Sequence, residues 1–469
     1  MCSGQRPAAS WVVEVLARPW HSAKTEKQGE CPLFLGRLPV KEEPTTGASS
    51  AGSPASAARQ LDLRAGIWLV AVLSTAQLVS QFLRSAISVI APNLVSELNI
   101  SAAGLALLAS SFFLAFAVAQ IPVGMLIDRF GPRRTMLWST MLAVAGCVVF
   151  ALGQDLSTLV LGRVLMALGC SSFYVAPLAI YSRWFQPKYF STVVGAQLGL
   201  SGLGLLAATT PLAFATATMG WRASFVIVGV LAGLSGLIVL WWVSDDPPGA
   251  EVVEHKKENL AESLRGLLAV TRTPSFWPLF IMFISNYAVL ITTLGLWGGP
   301  YLAHVYGYDL ETRGFYLLLL AFSSMVSLFI WGPADRIFGN YRTPITLGAG
   351  LSLAFLIWIA VVGKLSPIGL ALWFLFYGLV TSYAPLLVAE GRALFPPALL
   401  GRGLTLFNLA TMGGAFVFQF LTGALIEFVA PNATVYPLVA YQAAFALQAV
   451  LLTLSLSCYI FAGKKPVSR

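Results

Sequence analysis

Twelve apolar runs, each long enough to cross a lipid bilayer as a helix, divide this chain. They fall at about 66–92, 102–126, 135–153, 157–181, 191–217, 222–243, 276–303, 313–333, 344–363, 367–390, 402–428 and 436–462. About 20 predominantly apolar residues suffice for one helical crossing. In water such runs would have to cover one another, and little polar chain is left over to face the solvent. Of the 469 residues, 57% are hydrophobic and 10% charged, with a mean hydropathy of +0.78. Lipid therefore has to serve as part of the solvent. The expected fold is an all-α membrane protein with twelve transmembrane helices, numbered below as spans 1 to 12.

Lysine and arginine set the orientation. Loops after even-numbered spans hold Arg129, Arg133, Arg134, Arg183, Lys188, Lys256, Lys257, Arg265, Arg272, Arg336, Arg342, Arg392 and Arg402, whereas the odd-numbered loops have only Arg222, Arg313 and Lys364 at helix edges. Cytoplasmic loops collect the cations, so both termini of this multi-pass protein are expected in the cytoplasm, at the plasma (inner) membrane. The same placement accounts for the net charge of +9 without a nucleic-acid partner. The chain divides into a disordered cytoplasmic tail at 1–64, a first six-helix bundle at 65–243, a cytoplasmic linker at 244–275, a second bundle at 276–462 and a short cytoplasmic tail at 463–469. In the linker, Leu260, Leu264, Leu267 and Leu268 share one face of an amphipathic helix expected on the inner surface. The cysteines (Cys2, Cys31, Cys147, Cys170, Cys458) form no CxxC pair, and His21, His255 and His304 lie far apart, so no metal is expected.

The two bundles repeat one another. Pro92 and Pro300 differ by 208, as do Gly124 and Gly332, Gly131 and Gly339, and Arg134 and Arg342; Asp128 and Asp335 differ by 207. Two related halves of this kind rock about a site at their interface near the midplane, in alternating access. The most informative repeated stretch joins spans 2 and 3: Gly124, Asp128, Arg129, Gly131, Arg133 and Arg134 stand in the order G-x-x-x-D-R-x-G-x-R-R. That pattern resembles the loop 2–3 signature of the major facilitator superfamily of transporters, and the resemblance covers roughly 65–462. It implies two pseudo-symmetric six-helix bundles, with these residues, Asp335 and Arg336 acting in conformational change. By the same resemblance Asp128 should meet the N-terminal end of span 11 and latch the halves together.

A charge inside a span costs about 2.5–3.5 kcal/mol on insertion scales, so each needs a reason. Span 1 carries Arg84, eight residues before Pro92, on a polar stripe with Gln77, Ser80, Gln81 and Ser88. A guanidinium offers a planar fork of donors suited to a carboxylate or phosphate. No Asp or Glu lies deep in any span, since Glu390 and Glu427 sit near helix ends. The natural partner of Arg84 is then an anionic substrate. The segment Phe82 to Pro92 also resembles span 1 of the organic-anion branches (the anion–cation symporter and organophosphate types). This chain departs from them at Leu83, Cys170 and Thr292, where those branches place acids or a second arginine. A single cationic anchor suits a monocarboxylate better than a phosphate ester. Nitrate porters, by resemblance, carry arginines within spans 2 and 8, which these spans lack.

Other polar groups expected to line the cavity are Ser171 and Tyr174 in span 4, Gln197 in span 5, Asn286 and Thr292 in span 7, Tyr383 in span 10 and Asn408 in span 11. Each could equally bond its own backbone. Arg163, close to the outer edge of span 4, is expected in structure or gating. No nucleophile–base pair and no phosphate-binding Gly-x-x-x-x-Gly-Lys loop occurs, so an enzyme or ATP-driven pump is not expected. The expectation is a monomeric secondary transporter in the lipid bilayer for a small organic anion, without a cofactor and with coupling to H⁺ or Na⁺ open. The alternatives are an efflux carrier for drugs or metabolites and a transporter-like sensor or assembly protein.

Overall fold

The computed structural model describes residues 63–185, 187–247, 268–273, 275–395, 397–431 and 433–462. The tail expected at 1–64, apart from its last two residues, the linker leucines Leu260, Leu264 and Leu267, and the tail at 463–469 lie outside the described residues. Leu268 is exposed.

Span 1 is two helices, α1 (Leu63–Ser85) and α2 (Ile87–Leu98); span 2 is α3 (Ala102–Phe130) and span 3 is α4 (Pro132–Leu152). Span 4 is α5 (Leu156–Cys170) and α6 (Ser172–Trp184). Span 5 is α7 (Pro187–Ala207) with the start of α8 (Thr210–Trp242), and the rest of α8 is span 6. Span 7 is α9 (Phe276–Thr292), a π-helical turn (Thr293–Trp297) and α10 (Gly298–Tyr306). Span 8 is α11 (Leu310–Trp331), followed by a short α12 (Ala334–Phe338), and span 9 is α13 (Arg342–Val362). Span 10 is α14 (Pro367–Thr381) and α15 (Ala384–Leu394); spans 11 and 12 are α16 (Pro397–Val429) and α17 (Leu438–Ala462).

Among the described residues, 11 helical stretches are long and apolar enough to cross a membrane. The twelfth crossing, span 5, is the shorter apolar helix of α7 continued into the start of α8, and Gly220 at φ 82° breaks the helical path where span 6 takes over. Glycine tolerates that backbone, and the break falls where the sequence divides spans 5 and 6. Helix starts in the odd-numbered loops are capped: Ser101, Asp155, Asp309 and Ser366 accept from the backbone N–H of Gly104, Thr158, Thr312 and Gly369. The hydrogen bonds from Thr158 hold the Asp155 carboxyl below the usual carboxylate range, and those from Thr312 do the same for Asp309. A depressed carboxyl stabilises the fold above that range, and its contribution is lost as pH falls through it.

Two features differ from the sequence expectation. The stretch 124–134 is not a loop: α3 runs to Phe130, α4 starts at Pro132, and Gly131 alone, at φ 85°, turns the chain. Its repeat at 332–342 breaks earlier, at Gly332-Pro333, and inserts α12 before Gly339 at φ 69°. Proline lacks the N–H that would continue the helix, so the second copy breaks where the first runs on. Spans 1, 4, 7 and 10, moreover, are all interrupted near their middles. The halves meet tightly at the odd-loop end. A Cβ on Gly299 would lie 1.8 Å from the Ser88 carbonyl oxygen, and one on Gly423 would lie 1.9 Å from the Ala106 Cβ. At the even-loop end the interface helices are looser, and a Cβ on Gly124, Gly195, Gly199 or Gly401 would meet nothing within 4 Å.

Candidate functional site

Each interrupted span carries a proline within seven residues after its break: Pro92, Pro177, Pro300 and Pro385. Proline cannot donate to the carbonyl four residues back, so one backbone acceptor per helix is released. The released Thr381 carbonyl takes the Asn286 side-chain amide at 3.1 Å. Pro177 and Pro385 also differ by 208, so the repeat itself holds the signal for the breaks. Broken helices are tolerated at membrane depth where they are buried in protein or line a cavity.

Arg84 lies one residue before the end of α1 and is buried, 7% exposed. Its guanidinium carbon stands 4.4 Å over the Phe116 ring of span 2. The Tyr287 hydroxyl of span 7 is its polar neighbour, and the Cys170 thiol at the break of span 4 lies close enough to feel its charge. Tyr287 also packs edge-on against Phe113, ring centroids 6.3 Å apart. Among the described residues no carboxylate pairs with Arg84. The stripe along α1 is similarly unsatisfied: Gln77 Oε1, Ser80 Oγ, Gln81 Oε1, Arg84 Nε and Ser85 Oγ are buried without a hydrogen-bond partner. Buried polar atoms are costly unless paired, and five in a row on one helix face mark a surface built for something other than protein. Tyr287 and Phe116 were not singled out by their positions in the sequence. An aromatic in an apolar run looks like any core residue, and only the packing of spans 2 and 7 against span 1 sets these two beside Arg84.

Arg163 is drawn further in than its place at the head of span 4 suggests. It is fully buried, donates from Nε to the Leu108 carbonyl at 3.3 Å and from Nη1 to the Leu83 carbonyl, and stacks 4.5 Å over Phe112. Leu83 precedes Arg84, so Arg163 fixes the backbone that carries the candidate anchor. The two arginines rest on Phe112 and Phe116, which are one helical turn apart and stacked with centroids 6.3 Å apart. A desolvated cation–π contact contributes about 2 kcal/mol, part of what burying each charge costs.

The remaining candidates separate. Ser88 does not line open space: its Oγ accepts the Gly299 N–H at 2.8 Å and joins α2 to α10. Ser171 donates to its own helix at Leu168. Asn286 is held by Thr381, beside the buried Tyr383. Thr292 is buried with an unpartnered hydroxyl, while Tyr174 and Asn408 are half-buried. Gln197 is fully buried with both ends of its amide unpartnered. Gly204 presses against Leu78, so Gln197, two turns earlier on a parallel span, is level with Ala71 and well below Arg84.

Of the conformational candidates, Asp128, Arg129 and Arg134 are exposed, and Arg129 lies 5.1 Å over Phe130. Asp335 is half-buried and Arg336 exposed, both on α12. Arg133 is anchored by a residue the sequence pattern did not single out. The Asp245 carboxylate, just past span 6, accepts the Arg133 N–H at 2.7 Å, and the Arg133 guanidinium donates to the Leu240 carbonyl. Next to it Arg183 pairs with Asp246 at 3.2 Å, and Trp184 donates to the Ser244 carbonyl at 3.1 Å. The second half repeats the plan with other groups, Arg342 donating to the Ile460 carbonyl and Tyr459 to Glu390 at 2.6 Å. Gly131 is required twice over, by its φ of 85° and because a Cβ there would fall 2.3 Å from Asp245 Oδ2. Gly131→Ala is therefore expected to cost about 1–3 kcal/mol, seen as a lowered midpoint of thermal unfolding in detergent; an unchanged midpoint would reject this role.

The profile of the Major Facilitator Superfamily matches residues 73–417, which takes in the broken spans, Arg84 and the Asp128–Arg134 turn. This chain belongs to the Major Facilitator Superfamily. It is 36% identical over 187 residues to a nitrate/nitrite transporter (NrtP) of Nostoc punctiforme, a match covering 38% of this chain and 35% of that one. It is 26% identical over 300 residues to a probable L-galactonate transporter of Escherichia coli, covering 60% of this chain and 62% of that one. The chain thus spans from about a third to under two thirds of these relatives' lengths. Among solved structures, a bacterial homolog of the human lysosomal transporter Spinster, inward-facing and unoccupied, superposes with a TM-score of 0.69 at 18% identity, covering 86% of this chain and 98% of that one. That likeness bears on the major facilitator fold alone: an integral membrane protein of two six-helix halves.

Proposed function

We propose that this chain is a secondary transporter that moves a small organic monoanion, a monocarboxylate, by alternating access with Arg84 as its anchor. The observation that carries this reading is a buried guanidinium with no carboxylate partner among the described residues, set over the Phe116 ring and belonging to a row of unsatisfied polar atoms on α1 beside the break of span 1. A buried cation whose charge is left for the cargo to neutralise binds a monoanion and discriminates against neutral solutes. The galactonate relative, named for a monocarboxylate, supports the same class. The charge bias of the even loops supports cytoplasmic termini at the plasma membrane, and with that orientation the closed odd-loop end makes this an inward-open state. Asp128 belongs to the gating machinery in this reading, and the carrier works as a monomer.

A second reading, inorganic nitrate or nitrite, is favoured by the Nostoc relative at 36% identity. Both anions are small, planar and singly charged, so the same anchor serves either. The purified protein should be tested by thermal shift and by counterflow in proteoliposomes against sugar monocarboxylates, nitrate, neutral sugars and lipophilic cations. Stabilisation and exchange by monocarboxylates are expected. A response confined to nitrate selects the second reading, and one confined to neutral sugars or cations overturns both.

A further inference from the structure

A cleft of about 650 Å³ opens away from the central site, beside the start of span 9 and the end of span 12. At its mouth are Arg342 and Thr343, the first residues of α13; Thr346 follows one turn deeper, and Leu347, Gly350, Leu351 and Ile460 complete it. We propose that it is a binding site for an anionic phospholipid of the leaflet on the even-loop side, with the phosphate at Arg342 and Thr343 and an acyl chain over Gly350.

Three observations converge. The cleft is polar at one end only, and that end is the cationic, interfacial one, with Arg336 exposed on the preceding α12. Basic pockets between transmembrane helices at this level suit anionic head groups. Leu347 and Leu351 are exposed at 44% and 39%, as side chains that face lipid should be. From Arg342 to Leu351 the helix rises about 13 Å, close to the roughly 15 Å of one leaflet's hydrocarbon, so the cleft fits one lipid in depth as well as in polarity. Gly350 supplies the slot, because a Cβ there would meet nothing within 4 Å. The guanidinium is held at the mouth by its bond to the Ile460 carbonyl.

Native mass spectrometry of the full chain, titrated with phosphatidylglycerol or phosphatidylcholine, tests the assignment. The wild type should prefer phosphatidylglycerol by about fivefold, the scale of one cation near an anionic head group. Gly350→Leu fills the slot from a Cβ that meets nothing within 4 Å and should abolish the preference; Thr343→Asp, on the exposed rim, should abolish it by repulsion. Gly195→Leu, equally unhindered but in the other half, should retain it. Equal binding of both lipids by the wild type, or a preference that survives both cleft variants, overturns the proposal. So does competition by free sn-glycerol 3-phosphate at the lipid's own concentration, which would make this a phosphate site without a lipid.

Discussion

Arg84→Gln should reduce anion binding by roughly 10²–10³-fold, the consequence of removing one partner of a buried, hydrogen-bonded charge pair, and should leave the unloaded protein at least as stable as the wild type. The two halves of this expectation separate a functional arginine from a structural one. A structural arginine has partners in the empty protein, and its loss leaves them unpaired at a cost of about 1–3 kcal/mol. Arg163 is of that kind, because it holds the Leu83 and Leu108 carbonyls. Arg84 has an aromatic face at Phe116 and the Tyr287 hydroxyl beside it, while its Nε has no acceptor. Glutamine there relieves an uncompensated buried charge, so the thermal midpoint of the empty carrier should hold or rise while the shift on adding substrate disappears. Arg84→Lys keeps the charge but loses the planar fork, and should retain binding at an intermediate level. Full substrate-induced stabilisation in Arg84→Gln would refute the anchor, and a lowered midpoint of the empty protein would mark it as structural.

Much of this architecture is legible before any coordinates. The apolar runs delimit all twelve crossings, and even the junction inside α8 falls between 217 and 222, where Gly220 turns the chain. Arg84 stands out because a charge in a span is anomalous in any fold. The partners of Arg84 are another matter. Phe116, Tyr287 and Cys170 lie on three other spans, and their convergence depends on helix rotation and tilt, which hydropathy does not encode. The breaks in spans 1, 4, 7 and 10 fall at Ala86, Ser171, Thr293–Trp297 and Ser382–Tyr383, residues without strong helix-breaking character except Gly295, while the prolines stand further along. Ser88 and Ser171 illustrate the opposite error. A hydroxyl on the cavity side of a helical wheel has several ways to satisfy itself, and these two found partners in the Gly299 N–H and the Leu168 carbonyl. Asp245 was hidden for a third reason: a carboxylate just after a span looks solvated until the turn at Gly131 folds back over it.

Gly299→Val is expected to hold the carrier open at the odd-loop end and to lower the rate of transport by about 10–100-fold while sparing substrate binding. In the closed state the Gly299 Cα lies directly on the carbonyl that Pro92 releases at Ser88, and a Cβ would sit 1.8 Å from that oxygen. Spans 1 and 7 would have to part by about 1.5 Å or more to reach an ordinary contact distance. Overpacking of this kind costs about 1–3 kcal/mol, and the cost falls on the closed conformation alone, because the two helices separate when that end opens. A penalty confined to one of two states shifts their ratio by about tenfold for each 1.4 kcal/mol. Spin labels at Ser96→Cys and Glu311→Cys, on exposed ends of spans 1 and 8 in opposite halves, report the opening as a longer distance in Gly299→Val than in the wild type. Gly423→Leu, whose Cβ would meet Ala106 at 1.9 Å between spans 2 and 11 at the same end, should lengthen it too. Gly195→Ala, at the open end, should not. Should the distance stay fixed while Gly299→Val merely unfolds at lower temperature, the contact is ordinary packing and the gate lies elsewhere. A lengthened distance with binding intact makes Gly299 and the released Ser88 carbonyl the seal of the closed end, with the two broken helices moving as the parts that open it.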